Sequence, residues 1–105
     1  MARRMLSDQI TDSEAFLEMP QSSQNLYFHL NLKADDDGFV KNPKTLMRMY
    51  NSSEDDMKLL IMKRFVYPFP SGIMVIKHWL MHNSIRKDRY HKTAYFEELN
   101  QLELS

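Results

Sequence analysis

Four basic and two ring side chains fall within eight residues, Ile85-Arg86-Lys87-Asp88-Arg89-Tyr90-His91-Lys92. Charge of one sign concentrated in this way is the footprint of a polyanion-binding segment: the bases neutralise phosphates and a ring can stack on a nucleobase. Residues 63–92 carry Lys63, Arg64, Lys77, Arg86, Lys87, Arg89 and Lys92 against Asp88 alone, a net of +6. Residues 1–62 and 93–105 are each net −3. The formal charge of zero over 105 residues, from 14 bases and 14 acids, thus hides a contiguous basic third. A solvated linker has the same composition, so the run alone leaves both readings open.

Other reactive residue types point to no chemistry. There is no Cys, which excludes thiol catalysis, disulfide frameworks and Cys-bearing metal sites. Two glycines, Gly38 and Gly72, are too few for a phosphate-cradling loop. His78 and His82 stand four apart, but Trp79-Leu80-Met81 between them supplies no Glu base, and His78 is expected to end a strand, where helical spacing does not apply. Asp35-Asp36-Asp37-Gly38 resembles part of a calcium loop whose frame fails at both ends, at Lys33 and Lys44. No acid, base and nucleophile group together. The expectation is a non-enzymatic domain with no cofactor and no metal.

The elements that must position the bases are read from capping signals and periodicity. Residues 1–12 carry no clear period, and a short helix follows from Ser13 to Met19, closed by Pro20. A second helix is expected from Ser22 or Ser23 to Ala34, with Leu26, Tyr27, Leu30 and Ala34 on one face. The acidic turn ends it, and Phe39-Val40 makes a very short strand. Asn42-Pro43 starts a helix to about Tyr50, with Asn42 as cap. Asn51-Ser52 is the turn. Ser53-Glu54-Asp55-Asp56 resembles a capping box opening a helix to about Arg64, with Met57, Leu60 and Ile61 inward and Lys58, Leu59, Met62 and Lys63 outward. Phe65–Tyr67 and Ile73–Ile76 are strands joined by Pro68-Phe69-Pro70-Ser71-Gly72, a hairpin. Thr93 caps a final helix presenting Tyr95, Leu99 and Leu102, and the nine Met are expected as core filler.

Helix, strand, helix, turn, helix, strand, wing, strand is the order of a winged helix-turn-helix. The expected fold is α+β, mainly α, with a small β-hairpin wing and flanking N- and C-terminal helices. Such folds also serve as protein-interaction modules.

Several segments carry a resemblance. Arg4-Met5-Leu6-Ser7, Leu26-Tyr27-Phe28-His29-Leu30, Ala34 to Val40, Asn42-Pro43-Lys44, Val75-Ile76-Lys77-His78-Trp79 and His82 to Tyr90 resemble the N-terminal domain of phage replisome organizer proteins. These replication initiators are related in design to DnaD-type primosome proteins. The resemblance implies a DnaD-like winged helix that binds origin double-stranded DNA and helps recruit the host helicase or its loader, in the bacterial cytoplasm. Family members are longer. Residues 1–92 are therefore expected to form the DNA-binding domain with its N-terminal extension, and 93–105 the truncated start of a C-terminal helix or linker.

On this reading Lys41, Lys44, Arg48 and Ser52 contact phosphates from the flank of the motif. Lys58, Lys63 and Arg64 do so from the third helix, and Lys77, Arg86, Lys87, Arg89 and Lys92 from the wing and beyond. Arg48 and Asn51 are candidates for reading bases, Tyr90 for stacking, and Arg3 and Arg4 for a minor-groove arm. One feature opposes it: Glu54, Asp55 and Asp56 sit where a recognition helix meets phosphates. The alternative is a protein-interaction or self-assembly module of the primosome, with homo-oligomerisation and DNA bound elsewhere. No run is long enough to span a membrane, and no signal peptide is expected.

Overall fold

The computed structural model describes residues 5–82, 93–95 and 97–99. Helices α1 (Asp8–Thr11), α2 (Glu14–Leu17) and α3 (Gln21–Lys33) precede strand β1 (Phe39–Val40). Helices α4 (Pro43–Met49) and α5 (Glu54–Met62), strands β2 (Val66–Pro68) and β3 (Met74–Ile76), and helix α6 (Trp79–His82) follow. The result is an α+β domain, with one antiparallel three-stranded sheet in the order β1-β3-β2.

Serine caps set the helix starts. Ser7 Oγ accepts from Gln9 N, Ser13 Oγ from Phe16 N, and Ser53 Oγ from Asp56 N while the Asp56 carboxylate accepts from Ser53 N. Helix α1 was not legible from periodicity because four residues are too few to show one; buried Ile10 holds it to the core. One cap expectation fails, since Asn42 makes no side-chain cap bond; α3 starts behind Pro20 at Gln21, one or two residues ahead of the expected Ser22 or Ser23. Those two serines turn instead to Asp56 of α5.

Both α4 and α5 end in a left-handed residue. Asn51 (φ 53°) lets Ser52 N donate to Met47 O, and Arg64 (φ 64°) lets Phe65 N donate to Leu60 O. Each is a Schellman motif, in which orphan carbonyls of the last turn find donors. Arg64 therefore lies beyond the helix expected to include it.

The core is built around Phe16, Tyr27 and Phe65, packed edge-on with ring centroids 5.3–5.6 Å apart. Helix α3 contributes Leu26, Tyr27, Leu30 from its buried face, and α5 contributes Met57 and Leu60. Strand β3 is buried on both faces. Met74 and Ile76 face the helices, whereas Val75 joins Phe39, Phe69 and Ile73 in a second cluster that Tyr95 and Leu99 cover. A purely alternating pattern was thus not available in Ile73–Ile76, since the chain after residue 92 closes the second face. The methionines divide. Met19, Met57 and Met74 are core, but Met5, Met49 and Met62 are exposed, which corrects their reading as uniform filler.

Candidate nucleic-acid interface

Helices α4 and α5 and the hairpin tip enclose an open cleft of about 800 Å³. Lys41 enters it from the end of β1. Lys44 and Arg48, four apart on α4, share one helical face and line the same wall. Ser52 comes from the Schellman turn, and Lys58 from the cleft side of α5. Pro68, Phe69, Gly72, Ile73 and Met74 form the hairpin wall. The four cations are solvent-exposed, and among the described residues none is paired with a carboxylate. Glu54 is the one acid that lines the cleft among the described residues. The same lining carries the apolar side chains of Pro43, Met47, Ile61 and Pro68, with Asn42 and Thr45 as its uncharged polar members on α4 and its approach.

The acidic first turn of α5 is less hostile to phosphate than its sequence implies. Asp56 is 7% exposed and points away from the cleft into α3. Ser22 Oγ donates to its Oδ1 at 2.6 Å, Ser53 N to its Oδ2 at 2.9 Å, and Ser23 Oγ to Oδ1 at 3.3 Å. Burial alone would raise this carboxyl, but the donors outweigh it and hold the group below its usual range. Asp56 is thus a joint between α5 and α3, and Asp55 does not line the cleft.

The remaining expected contacts spread to other places. Lys63 is 3.8 Å from Glu18, the cap of α2, so its charge has a partner. Asn51 and Arg64 are exposed but serve as left-handed caps. Lys77 is exposed beyond β3, its N–H donating to Phe65 O at 3.1 Å. Arg86, Lys87, Arg89, Tyr90 and Lys92 lie outside the described residues, as do Arg3 and Arg4.

Buried joints bracket that basic run. On its N-terminal side His82, 3% exposed, accepts from Ser7 N at its Nδ1 (2.7 Å) and meets Tyr27 Oη through Nε2 (2.5 Å). His82 N donates to His78 O, so the pair is on one helical turn after all, contrary to the strand reading of His78. The ring nitrogens of His82 are both occupied by protein partners, and among the described residues no three His, Asp or Glu side chains converge as a metal site requires. On the C-terminal side Thr93, 2% exposed, donates its N–H to Asp37 Oδ2 at 2.7 Å and its hydroxyl to Asp35 Oδ2. Asp35 Oδ1 also accepts from Asp37 N and Phe39 N. The acidic turn is a clasp for the returning chain, a role that nothing in its spacing announced.

Searches against family models, curated proteins and solved structures returned no match to this chain.

Proposed function

We propose that this chain is a non-enzymatic winged-helix DNA-binding domain of the replication-initiator type, and that it holds origin duplex DNA along the α4–α5 cleft. The observation that carries the reading is the convergence of Lys41, Lys44, Arg48 and Lys58, from three separate elements, on one cleft with a single acid among the described residues. Phosphate contacts give affinity and register, and four unpaired cations on a common rim supply them. The element order α3-β1-α4-α5-β2-β3 with sheet order β1-β3-β2 supports the winged-helix assignment, with α4 and α5 as the helix-turn-helix and the β2–β3 hairpin as wing. The resemblance to phage replisome organizers supports the replication context and recruitment of the host helicase or its loader.

Fluorescence anisotropy with a labelled duplex over a salt series tests this. Affinity should fall steeply with salt, and replacing Lys44, Arg48 and Lys58 by Ala should flatten the log–log slope by roughly one per charge removed. A slope unchanged in that triple variant would remove the cleft from the interface. A self-assembly module is the second reading, favoured by Met62, 76% exposed at the end of α5. Sedimentation at two concentrations separates them: an oligomer indifferent to DNA supports the second.

A further inference from the structure

The rim of the cleft suits phosphates of any nucleic acid, but its interior does not suit a duplex. A helix-turn-helix reads a double helix by placing its second helix in the major groove, where the bases show only their edges. The cleft-side face of α5, with Met57, Lys58 and Ile61, instead looks into a concavity shared with α4 and the hairpin tip. A duplex laid over the mouth would reach Lys41, Lys44, Arg48 and Lys58 and leave the apolar walls uncovered. An unpaired base has two exposed apolar faces and a polar edge, with its charge displaced onto the neighbouring phosphate. That distribution matches a cleft lined by four exposed cations together with half-buried Met47 and Ile61 and the exposed ring of Pro68. The volume of about 800 Å³ lies in the range of pockets that take small molecules, large enough for a single nucleotide.

We infer that the cleft takes an unpaired nucleotide of single-stranded DNA, base against the Met47–Ile61–Pro68 walls and flanking phosphates on the four rim cations. The inference rests on the proposed nucleic-acid role of this cleft and adds strand state to it. Single strand and duplex would then share the rim and exclude each other, and only the single strand would use the interior.

The test is anisotropy with a labelled single-stranded oligonucleotide and with a duplex of the same sequence. The proteins are wild type, Met47→Gln, Ile61→Thr and the Lys44→Ala/Arg48→Ala pair. Met47→Gln keeps volume and helix propensity while replacing the apolar tip by an amide, and circular dichroism verifies each fold. The expected result is tighter binding of the single strand, weakened about fourfold by Met47→Gln or Ile61→Thr, with duplex affinity unchanged. The rim pair should weaken both. Duplex binding without single-strand binding, or interior variants that change both equally or neither, overturns the inference and leaves the nucleic-acid reading standing. Failure of both probes to bind overturns the two together.

Discussion

His82 shows how one side chain can make stability depend on pH. Because Ser7 N–H points at Nδ1, that nitrogen is an acceptor, and the neutral ring carries its proton on Nε2 toward Tyr27 Oη. A second proton would set Nδ1–H against Ser7 N–H. Burial, with the neighbouring His78 adding to it, pulls this imidazole below its ordinary value of 6.5; burial and Lys77 do the same to His78. Tyr27, on α3, faces the ring with a phenol that burial pushes up and keeps neutral. The unfolded chain therefore binds more protons than the folded one just below pH 6.5, and stability falls as pH falls through that window. Melting temperatures between pH 7.5 and 5 should decline, and His82→Gln should flatten the decline, leaving the part due to His78. The limit for one group is about 1.4 kcal/mol per pH unit. Arg64 gives a prediction of opposite sign. A non-glycine residue at φ 64° carries a cost of about 1–2 kcal/mol that Gly avoids, partly offset by glycine's larger entropy loss. Arg64→Gly should raise the melting temperature by about 4 °C, read by calorimetry.

At the scale of elements, legibility followed chemistry that is local in the chain. The capping box at Ser53 and Asp56, the apolar stripe of α3, Pro43 opening α4 and the Pro/Ser/Gly hairpin tip could all be read, because each signal lies within a few residues of its effect. What could not be read was long-range. The partners of Ser22 and Ser23 are 34 and 33 residues away in Asp56, and Thr93 closes on Asp35 across 58 residues. Gly38 belongs to both classes. Its positive φ was foreseeable from the turn, but its second duty was not: a Cβ there would lie 2.7 Å from Cγ of Trp79, whose Nε1 donates to Asp36 O. Gly38→Ala should therefore cost about 2–4 kcal/mol, combining left-handed strain with overpacking. A loss in chemical denaturation below about 1 kcal/mol would show that Trp79 can move aside. The cleft was half legible. Lys41, Lys44, Arg48, Ser52 and Lys58 were expected as contacts, but their convergence and the apolar interior depend on how the hairpin folds against α4 and α5.

Across the whole molecule, zero net charge resolves into a pattern that the fold uses unevenly. Several acids serve as fasteners: Asp56 between helices, Asp35 and Asp37 on Thr93, Glu18 on Lys63. Bases such as Lys41, Lys44, Arg48 and Lys58 stay exposed at the cleft. Asp8, Asp12, Glu14, Glu18, Glu54 and Asp55 remain exposed, and of these only Glu54 lines the cleft, so the field there is locally positive despite overall neutrality, which is the ground of the proposed polyanion partner. The most direct measurement is an amide chemical-shift titration of the whole chain with DNA. The largest shifts should fall at Lys41, Lys44, Arg48, Ser52 and Lys58 and diminish as salt is raised. Shifts absent from these residues, or confined to the α2–α5 edge around Glu18 and Met62, would contradict a DNA interface at the cleft.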